Sequence, residues 1–329
     1  MQTRTLGRTG RTVSVIGLGT WQLGADWGEV DEGDALAVLD ASHQAGVTVF
    51  DTADVYGDGR SESLIGRWLT ANPGSGVTVA TKMGRRMPQE HDNYVLENFR
   101  AWTDRSRRNL GVDTLDLVQL HCPPTSVYSD DAVYDALDTL VAEGAIAAYG
   151  VSVERVEEAL AAIARPNVAT VQIILNAFRL KPVEEVLPVA EQYGVGIIAR
   201  VPLASGLLSG KYTLETEFAP NDHRSYNRHG ESFDVGETFS GVDYATGVRA
   251  ASEFASLAAQ AAPDATPAQV ALAWIARQAG VSTVIPGARN PEQARANAAA
   301  GSLELPDSFD AAVRDLYDRE IRASVHHRW

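Results

Sequence analysis

The 329-residue sequence is poor in cysteine, since Cys122 is its single one. One cysteine cannot form an intramolecular disulfide, and it leaves no cysteine-rich zinc site. Such a chain is typical of a reducing compartment, so we expect a cytoplasmic protein. The sequence also lacks an apolar signal-peptide-like start and any run close to the ~20 apolar residues that cross a bilayer. No membrane partner is therefore expected.

Positive charge is also scarce. The chain has 28 Lys and Arg against 43 Asp and Glu, a net charge of −15. Nucleic acids and anionic membrane surfaces bind to positive fields, so neither is an expected partner. A small anionic ligand is still compatible with this charge, because a few local cations and helix N-termini can outweigh distant carboxylates.

Short β-branched apolar runs alternate with longer amphipathic segments along almost the whole chain, which predicts buried parallel strands connected by helices. The predicted strands are Val15–Leu18, Val47–Phe50, Val77–Ala80, Leu115–Leu120, Ala147–Gly150, Thr170–Ile174, Gly196–Ala199 and Thr283–Ile285. The predicted helices are Glu32–Gln44, Glu62–Leu69, Asn93–Asn109, Asp131–Ala142, Val156–Ala164, Val183–Tyr193, Gly247–Ala261, Pro267–Gln278, Pro291–Ala299 and Asp307–Ile321.

Eight strand and helix repeats without a linker favour one (β/α)8 TIM barrel over residues 1–329. A β-hairpin formed by Thr3–Leu6 and Val13–Val15 precedes it, a C-terminal helix and tail follow it, and Leu214–Asp243 after strand seven is a long irregular loop that we interpret as a lid. The alternative is a doubly wound sheet with two domains. That fold would need a third glycine in Gly17–Gln22, where glutamine stands instead.

Active sites of such barrels lie at the C-terminal ends of the strands, where Asp51, Tyr56, Lys82 and His121 follow successive predicted strands. A phenol with a pKa near 10 needs an adjacent cation to act as an acid near neutral pH. Lys82 can supply that cation, Asp51 can hold the ammonium, and His121 can donate a hydrogen bond to a carbonyl. The group suits protonation of an oxygen that receives a hydride, with Tyr56 as general acid.

Seven motifs in this order resemble the aldo-keto reductases, in particular the bacterial branch similar to potassium-channel β-subunits. They are Gly17–Trp21, Asp51–Gly57, Thr81–Lys82, Leu120–His121, Gly150–Ser152, Pro202–Tyr212 and Ile285–Gly287. The resemblance implies a (β/α)8 oxidoreductase that transfers a hydride between a nicotinamide cofactor and a small aldehyde, ketone or alcohol. It makes Asp51, Tyr56, Lys82 and His121 the catalytic tetrad.

The same resemblance implies where the cofactor and the substrate bind. The nicotinamide end is expected at Gly19, Thr20, Trp21, Asp51, Ser152, Gln172 and Arg200, with Ser152 and Gln172 bonding the carboxamide. The pyrophosphate is expected along Leu203, Ser205, Gly206, Leu208, Gly210 and Lys211, and the adenosine at Pro286, Gly287, Arg289, Gln293 and Asn297. The substrate is expected against Trp21, Trp27, Tyr56 and His121. Arg289 opens a helix and suits a 2′-phosphate, so NADP is favoured over NAD.

Other hypotheses are compatible with the sequence. Arg200 stands where many members of the family have a tyrosine that stacks on the nicotinamide. The chain could be an NADP-binding sensor with little turnover, or a metal-dependent barrel hydrolase or lyase, although no metal site is expected with Lys82 among the polar groups. Cys122 could be a nucleophile, but a bystander role is favoured.

The arginines at 105, 107 and 108 are predicted to lie on a solvated helix face, and Trp329 is expected either to border the substrate pocket or to be disordered. The substrate, the direction and the oligomeric state are not encoded in a readable form.

Overall fold

A computed structural model describes residues 1–24 and 30–329. Within those residues, eight parallel strands form one sheet in which neighbours along the chain are neighbours in space. The strands are β3 (Leu18–Gly19), β4 (Val49–Asp51), β5 (Thr78–Met83), β6 (Leu117–His121), β7 (Tyr149–Ser152), β8 (Val168–Ile174), β9 (Gly196–Arg200) and β10 (Val281–Val284), after a hairpin of β1 (Thr3–Thr5) and β2 (Thr12–Ser14).

The sheet closes on itself through its first and last strands. Ile16 bridges Val284 in parallel, and Gly19 bridges Gly287. The backbone N–H of Gly17 donates to the carbonyl of Val284 at 2.7 Å. The predicted (β/α)8 TIM barrel is therefore confirmed. The predicted first strand Val15–Leu18 is shorter in the structure, where regular pairing begins only at Leu18 and the residues directly before Val15 belong to the hairpin.

Helices surround the barrel between its strands. They are α1 (Glu32–Gln44), α2 (Arg60–Ala71), α3 (Leu96–Leu110), α4 (Asp131–Ala142), α5 (Val156–Ile163), α6 (Lys181–Glu185), α7 (Leu187–Tyr193), α8 (His223–Tyr226), α9 (Tyr244–Ala261), α10 (Pro267–Ala276), α11 (Pro291–Ala299), α12 (Ser308–Glu320) and α13 (Arg322–Val325). The single predicted helix Val183–Tyr193 is wrong: it is two helices, because Pro188 has no N–H to continue the first one. None of the described helices is both long and apolar enough to cross a membrane.

The hairpin plugs the N-terminal end of the barrel. Leu6 is fully buried and packs with inward-facing strand residues such as Val49, Leu117 and Ile198. The Arg8 guanidinium donates to the carbonyls of Arg165 and Pro166 at 2.8 and 2.7 Å. These contacts close the end of the barrel at which the strands begin.

The segment 214–243 has more structure than predicted. It contains α8 and two short 3-10 turns at Val235–Glu237 and Phe239–Gly241. Trp329 covers these turns and is 5% exposed, and its Nε1 donates to Asp234 at 3.0 Å. The guanidinium of Arg179 lies 4.2 Å from the centroid of the Trp329 ring. The tail is thus neither disordered nor in the pocket, but fastens a segment that borders the pocket.

We expect Trp329→Ala to lower the free energy of unfolding by about 3 kcal/mol, because it leaves a cavity where a large ring is buried. Amide exchange in residues 234–241 should rise more than elsewhere. The matched control is His327→Ala, which removes an exposed side chain two residues away and should change stability by less than about 0.5 kcal/mol. Equal exchange rates in the two variants would contradict the fastening role.

Candidate active site

Lys82 is the centre of a buried polar cluster at the C-terminal mouth of the barrel. Its Nζ lies 2.5 Å from Oδ1 of Asp51, donates to the carbonyl of Thr52 at 2.8 Å, and donates to the Tyr56 hydroxyl at 3.3 Å. Lys82 and Asp51 are 1% and 3% exposed, so neither charge is solvated by bulk water. The structure therefore brings an ammonium group within hydrogen-bond distance of a phenol, as the sequence predicted.

Two glutamines complete the surroundings of Asp51. Oδ2 of Asp51 accepts from Nε2 of Gln172 at 2.7 Å and from Nε2 of Gln119 at 3.3 Å. Gln172 was expected to bond a nicotinamide carboxamide, and here it also fixes Asp51. Gln119 was missed, although it stands two residues before His121 on the same strand and so points to the same side of the sheet. Both oxygens of the buried carboxylate are therefore satisfied.

The loop after β4 carries Tyr56 over the barrel mouth. The N–H of Asp54 donates to the carbonyl of Lys82 at 3.1 Å, which ties this loop to the neighbouring strand. Gly57 has φ +58°, and a Cβ there would collide with the carbonyl of Gly24. A glycine is needed at this turn both for its left-handed backbone and for this close approach.

Arg105 holds the same loop from below, so the prediction that it belongs to a solvated face is wrong. Its Nη1 donates to the carbonyl of Asp54 at 3.0 Å, and its Nη2 donates to the carbonyl of Asp58 at 2.6 Å. Arg105 also forms an ion pair with the Asp58 carboxylate at 2.9 Å, and Arg86 forms a second one at 2.6 Å. Helical periodicity placed Arg105 on α3 but could not show that α3 reaches the loop of another strand.

Burial and charge determine the protonation of this cluster. Burial raises the pKa of Tyr56, and the Lys82 ammonium opposes that rise. Burial by itself would lower the pKa of Lys82, but Asp51 and Tyr56 outweigh it and the pKa is raised. Lys82 is therefore a permanent cation beside a phenol that keeps its proton.

His121 faces Tyr56 across the mouth, with ring centroids 5.9 Å apart and an interplanar angle of 83°. Burial, followed by the charges of Arg85 and Lys82, holds the pKa of His121 well below its usual range. The imidazole is consequently neutral near pH 7. A neutral imidazole has one N–H, which is the group that a carbonyl oxygen would accept from.

A cavity of about 800 Å³ opens above this cluster. Sixteen of the predicted site residues line it: Gly19, Thr20, Trp21, Asp51, Tyr56, His121, Ser152, Gln172, Arg200, Leu203, Ser205, Gly206, Pro286, Gly287, Arg289 and Gln293. Five predicted site residues do not line it: Lys82, Leu208, Gly210, Lys211 and Asn297. Leu208 is in the core, and Asn297 donates from Nδ2 to the carbonyl of Gly287 at 3.0 Å, which supports the loop rather than the cavity. Trp27 lies outside the described residues.

Arg200 reaches the cavity from β9 but is held by two carboxylates. It forms ion pairs with Glu154, at 3.0 Å, and with Glu237 of the segment 214–243. Its Nη2 also donates to the carbonyl of Val153 at 2.9 Å. Burial raises the pKa of Glu154 to about 7, and the Arg200 charge opposes the rise. Arg200 therefore fastens the segment 214–243 to the barrel. The tyrosine that many members of the family have at this position could not form these ion pairs.

Aromatic rings form one wall of the cavity. The Trp21 ring lies 6.0 Å from that of Tyr56 and 5.6 Å from that of His223, and Phe233 meets Trp21 edge to face at 6.0 Å. His223 and Phe233 were not predicted, because the segment 214–243 has no periodic pattern that would place its side chains. The wall is apolar and is suited to the non-reacting part of a small organic molecule.

Comparison with known proteins agrees with this geometry. A family model described as the aldo/keto reductase family matches residues 15–318. An uncharacterized oxidoreductase of Mycobacterium tuberculosis is 36% identical over 311 residues, which cover 92% of this chain and 89% of that protein. The chain belongs to the aldo/keto reductase family. A probable voltage-gated potassium channel β-subunit of rice, Oryza sativa, is 29% identical, with 95% and 97% of the two chains covered.

Solved structures of aldo/keto reductases have the same fold. A glycerol dehydrogenase from Gluconobacter oxydans superposes with a TM-score of 0.78 at 29% identity, covering 94% of this chain and 93% of its own. An aldo-keto reductase from Klebsiella pneumoniae in complex with NADPH gives a TM-score of 0.71 at 26% identity, covering 96% of each chain. The resemblance to aldo-keto reductases that the motifs indicated is thereby confirmed, and so is the prediction that the chain belongs to a family of oxidoreductases.

Two of the alternative hypotheses for this aldo/keto reductase concern a metal ion and a cysteine nucleophile. Residues 1–24 and 30–329 contain no group of three acidic, histidine or cysteine side chains that could hold a metal ion. Sγ of Cys122 lies 3.4 Å from Oγ of Ser152 and 3.8 Å from Nη2 of Arg200. Burial raises the pKa of Cys122 to about 12, so the thiol is protonated near neutral pH and is a poor nucleophile.

We expect Cys122 to react slowly with iodoacetamide in the native protein. Since the thiolate is the reactive form and the pKa is raised, alkylation near pH 8 should be at least ~100-fold slower than that of a free thiol, and it should accelerate as the pH rises. Mass spectrometry of the native and the urea-unfolded protein measures both rates. Cys122 is the only cysteine, so the unfolded sample is its own control. Native alkylation at the unfolded rate would contradict the protonated state.

Proposed function

We propose that the protein is an NAD(P)H-dependent reductase of aldehydes or ketones, which also oxidises the corresponding alcohols, with Tyr56 as general acid. The observation that carries this proposal is the contact of the buried Lys82 ammonium with both Asp51 and the Tyr56 hydroxyl, two groups that line the cavity. The family match over residues 15–318 supports a single barrel domain over residues 1–329.

In this proposal Tyr56 and His121, whose rings face each other across the mouth, bind one carbonyl oxygen between them. The Tyr56 hydroxyl donates its proton to that oxygen as negative charge develops on it. Lys82 stabilises the phenolate that remains, because its ammonium lies 3.3 Å from the hydroxyl oxygen. Asp51 keeps the ammonium in place, and the neutral imidazole of His121 orients the carbonyl. In the reverse direction the phenolate form of Tyr56, stabilised by Lys82, accepts the proton of the alcohol.

The residues above the cluster fit a dinucleotide. The cavity runs from Asp51 and Tyr56 to Arg289 and Gln293, so it spans the barrel mouth from the reacting groups to the start of α11. Ser205 and Gly206 line the cavity and have positive φ angles of 55° and 97°, a backbone conformation of the kind that forms anion-binding turns and supports a pyrophosphate site here. When bound, a reduced nicotinamide supplies the hydride. The Klebsiella relative was crystallised with NADPH, which supports NADP as the cofactor here, with NAD as the alternative.

Tyr56→Phe tests the proposed acid. We expect kcat for reduction of a simple aldehyde to fall by roughly 10²- to 10⁴-fold, because the proton donor is lost. The Kd for NADPH, measured by fluorescence, should change little. Tyr193→Phe removes a hydroxyl from a half-exposed tyrosine far from the mouth and should behave as the wild type.

Unchanged turnover in Tyr56→Phe would refute Tyr56 as the acid. NADPH binding without turnover by the wild type, over a broad panel of aldehydes, ketones, sugars and polyols, would favour instead an NADP-binding sensor. That outcome has some support in the similarity to a potassium channel β-subunit.

Arg289→Ala tests the choice of cofactor. Arg289 lines the cavity directly before α11, where its charge adds to the helix dipole, and we propose that it contacts a 2′-phosphate. We expect the Kd for NADPH to rise about 10-fold and the Kd for NADH to stay within about 2-fold. Arg295→Ala, which removes an exposed arginine of the same helix, is the control. An equal loss for both cofactors would contradict the assignment.

A further inference from the structure

Arg85 is a cation in the cavity that the reaction described above does not use. It stands three residues after Lys82, directly beyond the end of β5, and it lines the same cavity as Tyr56 and His121. Its Nε donates to the backbone carbonyl of His121 at 3.1 Å. The charge of Arg85 is close enough to lower the pKa of His121. Arg85 is therefore anchored at one end beside the expected position of the reacting carbonyl.

Three of the other cations around the mouth are engaged by carboxylates of the protein. Lys82 pairs with Asp51, Arg200 with Glu154 and Glu237, and Arg224 with Asp222. Arg85 differs from them. Among residues 1–24 and 30–329, the bond from its Nε is the only hydrogen bond that its side chain makes, and no carboxylate lies within ion-pair distance of its guanidinium. The two terminal nitrogens of its guanidinium are consequently available to a ligand.

The position of Arg85 in the barrel separates it from the expected phosphate sites. In the ring of eight strands, β5 is four strands away from β9 and so lies across the mouth from it. The segments proposed to hold the pyrophosphate and the adenosine follow β9 and β10. Tyr56 follows β4 and His121 ends β6, and these two strands are the neighbours of β5. An anion bound by Arg85 would therefore belong to the substrate rather than to the cofactor.

We propose that Arg85 binds a carboxylate of the substrate, so that the preferred substrates are carbonyl compounds carrying a carboxylate group. This rests on the proposed function and names the substrate class of the same site. A guanidinium binds a carboxylate through two parallel N–H donors, and Arg85 has two terminal nitrogens for this while its Nε stays on the backbone. The negative charge of Glu237 does not prevent this, because Arg200 neutralises it.

The test compares para-formylbenzoate with its neutral methyl ester, two aldehydes that share a ring suited to the aromatic wall. We expect the wild type to have a higher kcat/KM for the acid. In Arg85→Met, kcat/KM for the acid should fall roughly 10- to 100-fold, mainly through KM, while that for the ester stays within about 3-fold. Arg85→Lys should retain part of the preference, and Arg108→Met, an exposed arginine of α3, should retain all of it.

An equal loss for acid and ester in Arg85→Met would overturn the proposal, because it would show that Arg85 only supports the backbone of His121. A wild type without preference for the acid would overturn it as well. Calorimetric binding of para-formylbenzoate to the protein loaded with oxidised NADP gives a readout without turnover, because the oxidised cofactor has no hydride to transfer. Binding that depends on Arg85 supports the carboxylate site even if no aldehyde is reduced, in which case the proposed function alone fails. Absence of such binding overturns the carboxylate site.

Discussion

The buried ion pair between Lys82 and Asp51 is the interaction on which the rest of the site depends. Removing two charges from water is costly, and the cost is offset only if the geometry is good and every remaining polar atom is bonded. Here the carbonyl of Thr52 and the amides of Gln119 and Gln172 complete the pair. Removing one partner of such a pair costs about 3–5 kcal/mol. The barrel strands must therefore meet in one register, since a slip of one residue would turn these side chains out of the mouth.

The electrostatics of the mouth differ from those of the whole chain. The protein carries a net charge of −15, yet its cavity contains Arg85, Arg200, Arg224 and Arg289. Arg200 and Arg224 are tied to carboxylates and contribute structure, while Arg289 and Arg85 lie at opposite sides of the opening. A basic pocket in an acidic protein attracts a small anion without attracting a polyanion. This arrangement suits a dinucleotide bound on one side and, in our proposal, a carboxylate bound on the other.

Much of the fold was predictable because strand and helix periodicities repeat eight times. The proximity of Asp51, Tyr56, Lys82 and His121 was predictable because strand ends converge in a barrel. The residues that the sequence did not reveal act across long distances in the chain. Arg105 reaches the loop of Tyr56 from another helix, and Trp329 covers a segment some 90 residues earlier. Periodicity indicates which face of an element is buried but not what lies against it. Gln119 is the exception, since its alternation with His121 on one strand could have indicated it.

The central claim is that Tyr56 and Lys82 act as one unit, with the ammonium stabilising the phenolate that proton transfer leaves. The most direct measurement is the single-turnover rate of hydride transfer in Tyr56→Phe, in Lys82→Met and in the double variant. When two residues act as one unit, the rate losses caused by their separate mutations are not additive in free energy. We expect the double variant to be about as slow as the slower single variant. A double variant slowed by the product of the two single effects would contradict the claim.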